Sequence, residues 1–130
     1  MCSVNVAGVS AWKLFLLTQR FDPDVLLLQE TWLPSAAEPL QWGDYRVFEQ
    51  RRARGHRGGI AVLVRKGLSI GRSFGNEYAQ VVDITTPNGA AAAIVNVYFP
   101  PIENLRRRGV AEGVARQAVE AIANKVPPET

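Results

Sequence analysis

The sequence has few of the residues that mark secreted or membrane proteins. Its 130 residues include one cysteine, one methionine and one histidine. A single cysteine, Cys2, excludes an internal disulfide and favours a reducing compartment. No apolar run reaches the roughly 18 residues that a membrane-spanning helix needs, and no basic stretch with an apolar core begins the chain. We therefore expect an intracellular protein, nuclear or cytoplasmic, that is neither secreted nor bound in a membrane.

The overall composition is that of a folded globular domain. Hydrophobic residues make up 47% of the chain and charged residues 21%, and 130 residues suit one domain. The net charge of +3 is small, but eight basic residues lie between positions 46 and 72 against one acid, Glu49. The eight are Arg46, Arg51, Arg52, Arg54, Arg57, Arg65, Lys66 and Arg72. This cluster either contacts nucleic-acid phosphates or forms an ordinary solvated surface, and charge alone leaves both interpretations open.

The first third of the chain predicts a β-α-β unit. Residues 2–7 are β-prone, and Ser10 can cap a helix that continues to Arg20. Pro23 ends the helical pattern, and residues 25–28 form an apolar run typical of a strand buried on both faces. A helix between two buried strands predicts that the strands are parallel neighbours.

The remainder predicts antiparallel strands and a final helix. Four segments, 45–50, 59–64, 78–85 and 91–98, have strand patterns, and Asn88-Gly89 favours a tight hairpin between the last two. A helical stripe covers about 104–125. The sequence therefore predicts one mixed sheet of about six strands with two flanking helices. Its second face would be apolar and bare, so a partner sheet or self-association should cover it.

Polar residues follow the predicted strands where those strands end. Asn5 lies near the end of the first strand, Gln29 and Glu30 follow the second, and Tyr98 ends the last. Ligands of open α/β sheets bind at the carboxyl ends of parallel strands. A carboxylate beside an amide suits Mg²⁺, which takes few protein ligands and keeps several waters. Taken singly, Glu30 fits a surface loop residue better, and Tyr98 fits a core or rim aromatic better.

Five segments together resemble a known family. Three of them are Cys2-Ser-Val-Asn-Val-Ala-Gly8, Asp24-Val-Leu-Leu-Leu-Gln-Glu-Thr-Trp32 and Val95-Asn-Val-Tyr-Phe-Pro-Pro101. In order and spacing they resemble the first three motifs of the endonuclease/exonuclease/phosphatase superfamily. Gly43-Asp-Tyr-Arg-Val-Phe48 and Arg57-Gly-Gly-Ile-Ala-Val-Leu-Val64 are similar to the endonuclease domains of non-long-terminal-repeat retrotransposons.

The resemblance implies a DNase I-like, four-layer α/β/β/α sandwich, of which residues 1–130 would be one partial domain with its core at 2–101. It implies DNA as the partner and Mg²⁺ as the cofactor, with Mn²⁺ as the alternative. Glu30 would bind the metal, Asn5 would arrange metal and phosphate, Gln29 would orient Glu30 or the phosphate, and Tyr98 would contact the phosphate. Arg51, Arg52, Arg54 and Arg57 would bind nucleic acid.

The sequence departs from the family pattern in two places. Ala7 stands where many members carry an acid, and the later Gly-Asp-Phe-Asn and Ser-Asp-His motifs have no match. We therefore expect the N-terminal half of an endonuclease domain, truncated and inactive alone, which self-associates or pairs with a missing C-terminal half. The competing hypotheses are a non-catalytic nucleic-acid-binding module and a phosphatase acting on lipid or inositol phosphates. His56, the one histidine, is expected in a solvent-exposed loop.

Overall fold

The described part of the chain folds into seven strands and one helix with defined bounds, and a few further residues near its C-terminal end are helical. The computed structural model describes residues 1–52, 58–98, 116–117 and 120–122. The elements are β1 (Cys2–Asn5), α1 (Ala11–Phe21), β2 (Val25–Gln29), β3 (Tyr45–Gln50), β4 (Ile60–Arg65), β5 (Ser69–Gly75), β6 (Ala79–Thr85) and β7 (Ala91–Val97). No helix in the described ranges is long and apolar enough to cross a membrane.

The predicted β-α-β unit is confirmed. Strands β1 and β2 pair in parallel, with Asn5 opposite Gln29. The Ser10 side chain caps α1 by accepting from the Lys13 backbone N–H at 3.2 Å. Asp22 ends the helix in a left-handed conformation at φ 40°, and its N–H donates to the Thr18 carbonyl. The local signals therefore place both helix ends within one residue of the prediction.

The predicted single sheet is wrong, because the strands divide between two sheets. The first sheet has the order β1-β2-β4-β3 and the second has the order β5-β6-β7. Strand β5 is the element that the sequence pattern does not predict. It contains Gly71 and Gly75, and its pairing with β6 is irregular between Ile70 and Ser73. Glycine and a bulge both remove the regular alternation by which a strand is recognised.

The expected bare face is also wrong, because the second sheet covers the first. Val25, Leu27, Val62 and Val64 of the first sheet form one buried cluster with side chains of β6, namely Val82 and Ile84. The apolar face that was expected to drive self-association is thus buried within the chain. The prediction of apolar residues on both faces of β2 and β4 is correct. The second apolar face is covered by β6 of the same chain.

The outer faces of the two sheets are covered in different ways. Helix α1 packs on the first sheet through Leu14, which shares a core cluster with Leu26, Leu28 and Leu63. On the second sheet Ile122 packs with Ala79 and Val81. Residues 116–117 and 120–122 are helical, and the other residues of the predicted 104–125 helix lie outside the described ranges. The fold is mixed α/β with two sheets, compatible with part of a DNase I-like sandwich.

Candidate active site

The ends of β1 and β2 are joined beyond the last residues of the strands. The Val6 N–H donates to the Gln29 carbonyl at 2.9 Å, and the Gly8 N–H donates to the Glu30 carbonyl at 2.8 Å. The Val9 N–H continues the series to Thr31 at 2.9 Å. Asn5 and Glu30 therefore lie on two segments that hydrogen bonds hold side by side.

Left-handed backbone is concentrated at this edge. Four non-glycine residues in the described ranges have positive φ, and three of them are Ala7 (46°), Glu30 (57°) and Trp32 (58°). Each such conformation costs about 1–3 kcal/mol and persists only where the surroundings enforce it. The two segments pack closely here, since a Cβ atom on Gly8 would lie 2.9 Å from the Trp32 ring. Strain of this kind clusters at functional sites, which marks the edge as a candidate site.

The Asn5 side chain is oriented by its own backbone. Its Oδ1 accepts from the Ala7 N–H at 3.1 Å, and the residue is exposed. Because the oxygen is turned toward a donor, the amide N–H groups are the part of the side chain offered to a ligand. An N–H donor suits a phosphate oxygen better than it suits a metal cation.

Gln29 is the half-buried end of a polar bridge between the two sheets. Its Nε2 donates to Ser3 Oγ at 3.0 Å and to Asn96 Oδ1 at 2.9 Å. Asn96 Nδ2 lies 3.1 Å from each of three acceptors, the Leu28 and Ala61 carbonyls and Gln80 Oε1. Asn96 and Gln80 are each 1% exposed, so these hydrogen bonds replace water that the groups have lost.

The bridge brings the end of β7 to the same edge. Tyr98 follows Asn96 by two residues, is half-buried, and donates its N–H to the Tyr78 carbonyl at 2.9 Å. Asn5, Gln29 and Glu30 thus lie together at the ends of β1 and β2, and Tyr98 lies just past the β7 residue that contacts Gln29. Sequence reasoning missed Asn96, although an amide inside the apolar run Ile94-Val-Asn-Val97 signals a buried hydrogen-bonded group.

Comparison with protein families matches residues 2–128 to the endonuclease/exonuclease/phosphatase family. The chain belongs to this family. Comparison with solved structures matches this chain to two structures of the protein TDP2 from Caenorhabditis elegans. The truncated form is 17% identical, with a TM-score of 0.47, covering 85% of this chain and 47% of that one. The second is 17% identical, with a TM-score of 0.49, covering 96% and 43%. The chain thus spans less than half of either protein, and comparison with curated proteins gives no match.

Members of the endonuclease/exonuclease/phosphatase family generally depend on a divalent metal. Glu30 is half-buried and offers one carboxylate at the joined strand ends. Within the described ranges no three His, Cys, Asp or Glu side chains come together. One carboxylate fits a partial Mg²⁺ site, because Mg²⁺ retains several waters and binds through one or two carboxylates.

Of the four arginines predicted to bind nucleic acid, the structure describes Arg51 and Arg52. The Arg51 guanidinium pairs with Glu49 at 3.0 Å and is 14% exposed. It also donates to the carbonyls of Pro34, Ala37 and Glu38. Arg51 therefore holds a loop, and contact with a phosphate would require it to leave these partners. Arg52 is half-buried, and Arg54, His56 and Arg57 lie outside the described ranges.

Proposed function

We propose that this domain belongs to a metal-dependent phosphodiesterase that cuts DNA, of the type carried by non-long-terminal-repeat retrotransposons. The observation that supports it is the meeting of Asn5, Gln29 and Glu30 at the joined ends of β1 and β2, bridged through Asn96 to the strand that precedes Tyr98. The segments that resemble retrotransposon endonucleases contribute β3 and β4 of the same sheet as this edge.

Each residue has a distinct task in this proposal. Glu30 holds a Mg²⁺ ion, which when bound polarises the phosphate and stabilises negative charge. Asn5 donates its amide N–H to a phosphate oxygen, and Tyr98 donates its hydroxyl to the same group. Gln29 keeps the two sheets in register beneath them, since its amide already binds Ser3 and Asn96.

We further propose that the 130 residues alone bind metal but do not cleave DNA. Hydrolysis needs a general base for the attacking water and groups that stabilise the leaving oxygen. Within the described ranges no three His, Cys, Asp or Glu side chains come together, so no cluster there supplies the metal ligand, the general base and the leaving-group stabiliser at once. A site with the Glu30 carboxylate but without a general base can orient a phosphate, but it cannot activate the attacking water.

The first experiment combines Mg²⁺ titration with plasmid nicking in Mg²⁺, in Mn²⁺ and in EDTA. Glu30→Gln keeps the size of the side chain and removes its charge, and Glu38→Gln at an exposed position is the matched control. We expect Mg²⁺ binding that is lost in Glu30→Gln and kept in Glu38→Gln, with no nicking by any form. Absence of Mg²⁺ binding would overturn the metal site. Nicking that disappears in Glu30→Gln would overturn the proposed inactivity.

A second candidate function is a non-catalytic nucleic-acid-binding module. The excess of basic residues between 46 and 72 favours it, and Arg46, Lys66 and Arg72 of that set are exposed. It predicts DNA binding in EDTA that weakens steeply with added salt and is unchanged by Glu30→Gln. No measurable DNA affinity at low salt would exclude it.

A further inference from the structure

Lys13 makes an unusual set of contacts with the loop between β1 and α1. Its Nζ donates to the carbonyls of Val6 at 2.6 Å, Ala7 at 3.2 Å and Gly8 at 2.8 Å. An ammonium group has three donors, and here all three meet successive carbonyls of one segment. The carbonyls converge because Ala7 and Gly8 have left-handed backbone, at φ 46° and 92°.

The same segment carries the candidate active site on its other side. The N–H groups of Val6 and Gly8 donate to the carbonyls of Gln29 and Glu30, and the Ala7 N–H donates to the Asn5 side chain. Residues 6–8 are therefore fixed through their N–H groups by the site residues and through their carbonyls by Lys13. One side chain thus controls the segment that joins Asn5 to Glu30.

The backbone of Lys13 is held in place by helix α1. The Lys13 backbone N–H donates to Ser10 Oγ, and the next residue, Leu14, is 1% exposed in the core of the first sheet. Because the helix is anchored by Leu14, the ammonium acts on the loop from a fixed position. A solvated surface lysine has neither this anchor nor three carbonyl partners, and it would lose side-chain entropy if it were held in one place.

We propose that Lys13 is a positioning residue of the candidate active site. Its ammonium holds Ala7 and Gly8 in the left-handed form, and this form sets the directions of Asn5 and of the Glu30 backbone. The inference rests on the proposed function only for the ligand that the site binds. The placement of Asn5 by Lys13 is a property of the chain itself and can be measured without any ligand.

The test compares Lys13→Met, which keeps the length and removes the charge, with the wild type by NMR and by Mg²⁺ titration. Leu17→Ala is the control, because Leu17 packs in the same helix–sheet core without a bond to residues 6–8. We expect Lys13→Met to shift the Asn5 side-chain amide and Gly8 backbone signals. We also expect it to weaken Mg²⁺ binding by about tenfold or more, as loss of outer-shell partners does at metal sites. Leu17→Ala should lower stability and move neither readout.

Each outcome decides the proposal. Unchanged Asn5 and Gly8 signals in folded Lys13→Met would overturn the positioning role. If Lys13→Met does not fold, Lys13→Gln is used, whose shorter neutral amide carries two N–H donors in place of three, and unchanged signals there would overturn the role equally. If the wild type binds no Mg²⁺, the proposed function fails, while the shifted NMR signals would still support Lys13.

Discussion

The buried hydroxyl of Tyr45 makes the stability of this protein depend on pH. Its hydroxyl donates to the Pro23 carbonyl at 2.5 Å and accepts from Arg65 Nη2 at 3.2 Å, and the residue is 7% exposed. Burial raises the pKa of Tyr45 above its ordinary value of 10.0, although the nearby Arg65 charge opposes the shift. The folded state therefore favours the neutral phenol.

The first prediction concerns alkaline stability. The pKa of Tyr45 is higher in the folded state than in the unfolded state. The neutral hydroxyl therefore adds its full contribution to the free energy of unfolding below the unfolded pKa of about 10, and this contribution is lost as pH rises through the folded pKa. Tyr45→Phe should cost about 1 kcal/mol near neutral pH through the lost hydrogen bond, and its stability should fall less steeply above about pH 10. Urea unfolding of both proteins across this range measures the difference. Equal slopes above about pH 10 would show that Tyr45 does not titrate with unfolding.

At the residue scale the sequence predicts some conformations and not others. An aspartate after a helix, such as Asp22, tolerates left-handed backbone and is a recognisable end signal. Ala7, Glu30 and Trp32 have no such preference, and packing between the strand ends imposes their conformation. Asn5, Gln29 and Glu30 could be proposed for the site from their positions after strands. The triple contact of Lys13 could not, because it depends on where three carbonyls point.

At the element scale, Arg51 connects the end of β3 to the loop of residues 34–40. Glu49 accepts from Arg51 and, through Oε2, from the Leu40 N–H at 2.9 Å. One ion pair therefore closes the loop against the strand. Since the Arg51 and Glu49 side chains are each 14% exposed, loss of the arginine would leave a largely desolvated carboxylate without its partner.

The second prediction separates this role from nucleic-acid binding. Arg51→Ala should lower the free energy of unfolding by about 1–3 kcal/mol and speed proteolysis within residues 34–40, because a charged hydrogen-bond network is broken. Arg46→Ala on β3 is the control, and as an exposed substitution it should change stability by less than about 0.5 kcal/mol. Thermal unfolding and limited proteolysis provide the readouts. Weaker DNA binding at unchanged stability would instead assign Arg51 to phosphate contact.

The element pattern was predictable wherever periodicity is regular. Of the seven strands in the part of the chain that the structure describes, six follow from apolar runs and alternation, and α1 follows from its capping signals. Strand β4 is buried on both faces, as its continuous Ile60-Ala-Val-Leu-Val64 run predicts. The division into two sheets was not predictable from these patterns. An apolar face shows that something covers it, but the identity of the cover depends on long-range packing between β2, β4 and β6.

At the scale of the whole molecule, the two sheets share one core and one polar bridge. Ile84 and Val82 of the second sheet pack with residues of β2 and β4, and Asn96 donates to the Leu28 and Ala61 carbonyls of the first. A buried amide that bonds to two strands of the opposite sheet fixes the register between sheets. Neither sheet can separate without exposing apolar side chains and stranding these buried polar groups.

The third prediction is that the sheets unfold as one cooperative unit. Ile84→Ala removes a side chain that is 7% exposed and should cost about 2–5 kcal/mol, because it leaves a cavity between the sheets. Native-state hydrogen exchange should show the same loss of protection at Val62 in the first sheet as at Val82 in the second. Val95→Ala, on the outer face and 42% exposed, is the matched control and should have a much smaller effect. Loss of protection confined to β5, β6 and β7 would mean that the first sheet is stable on its own. In that case the inter-sheet bridge through Asn96 would not govern the alignment of Gln29, and Tyr98 would be free to move relative to Asn5 and Glu30.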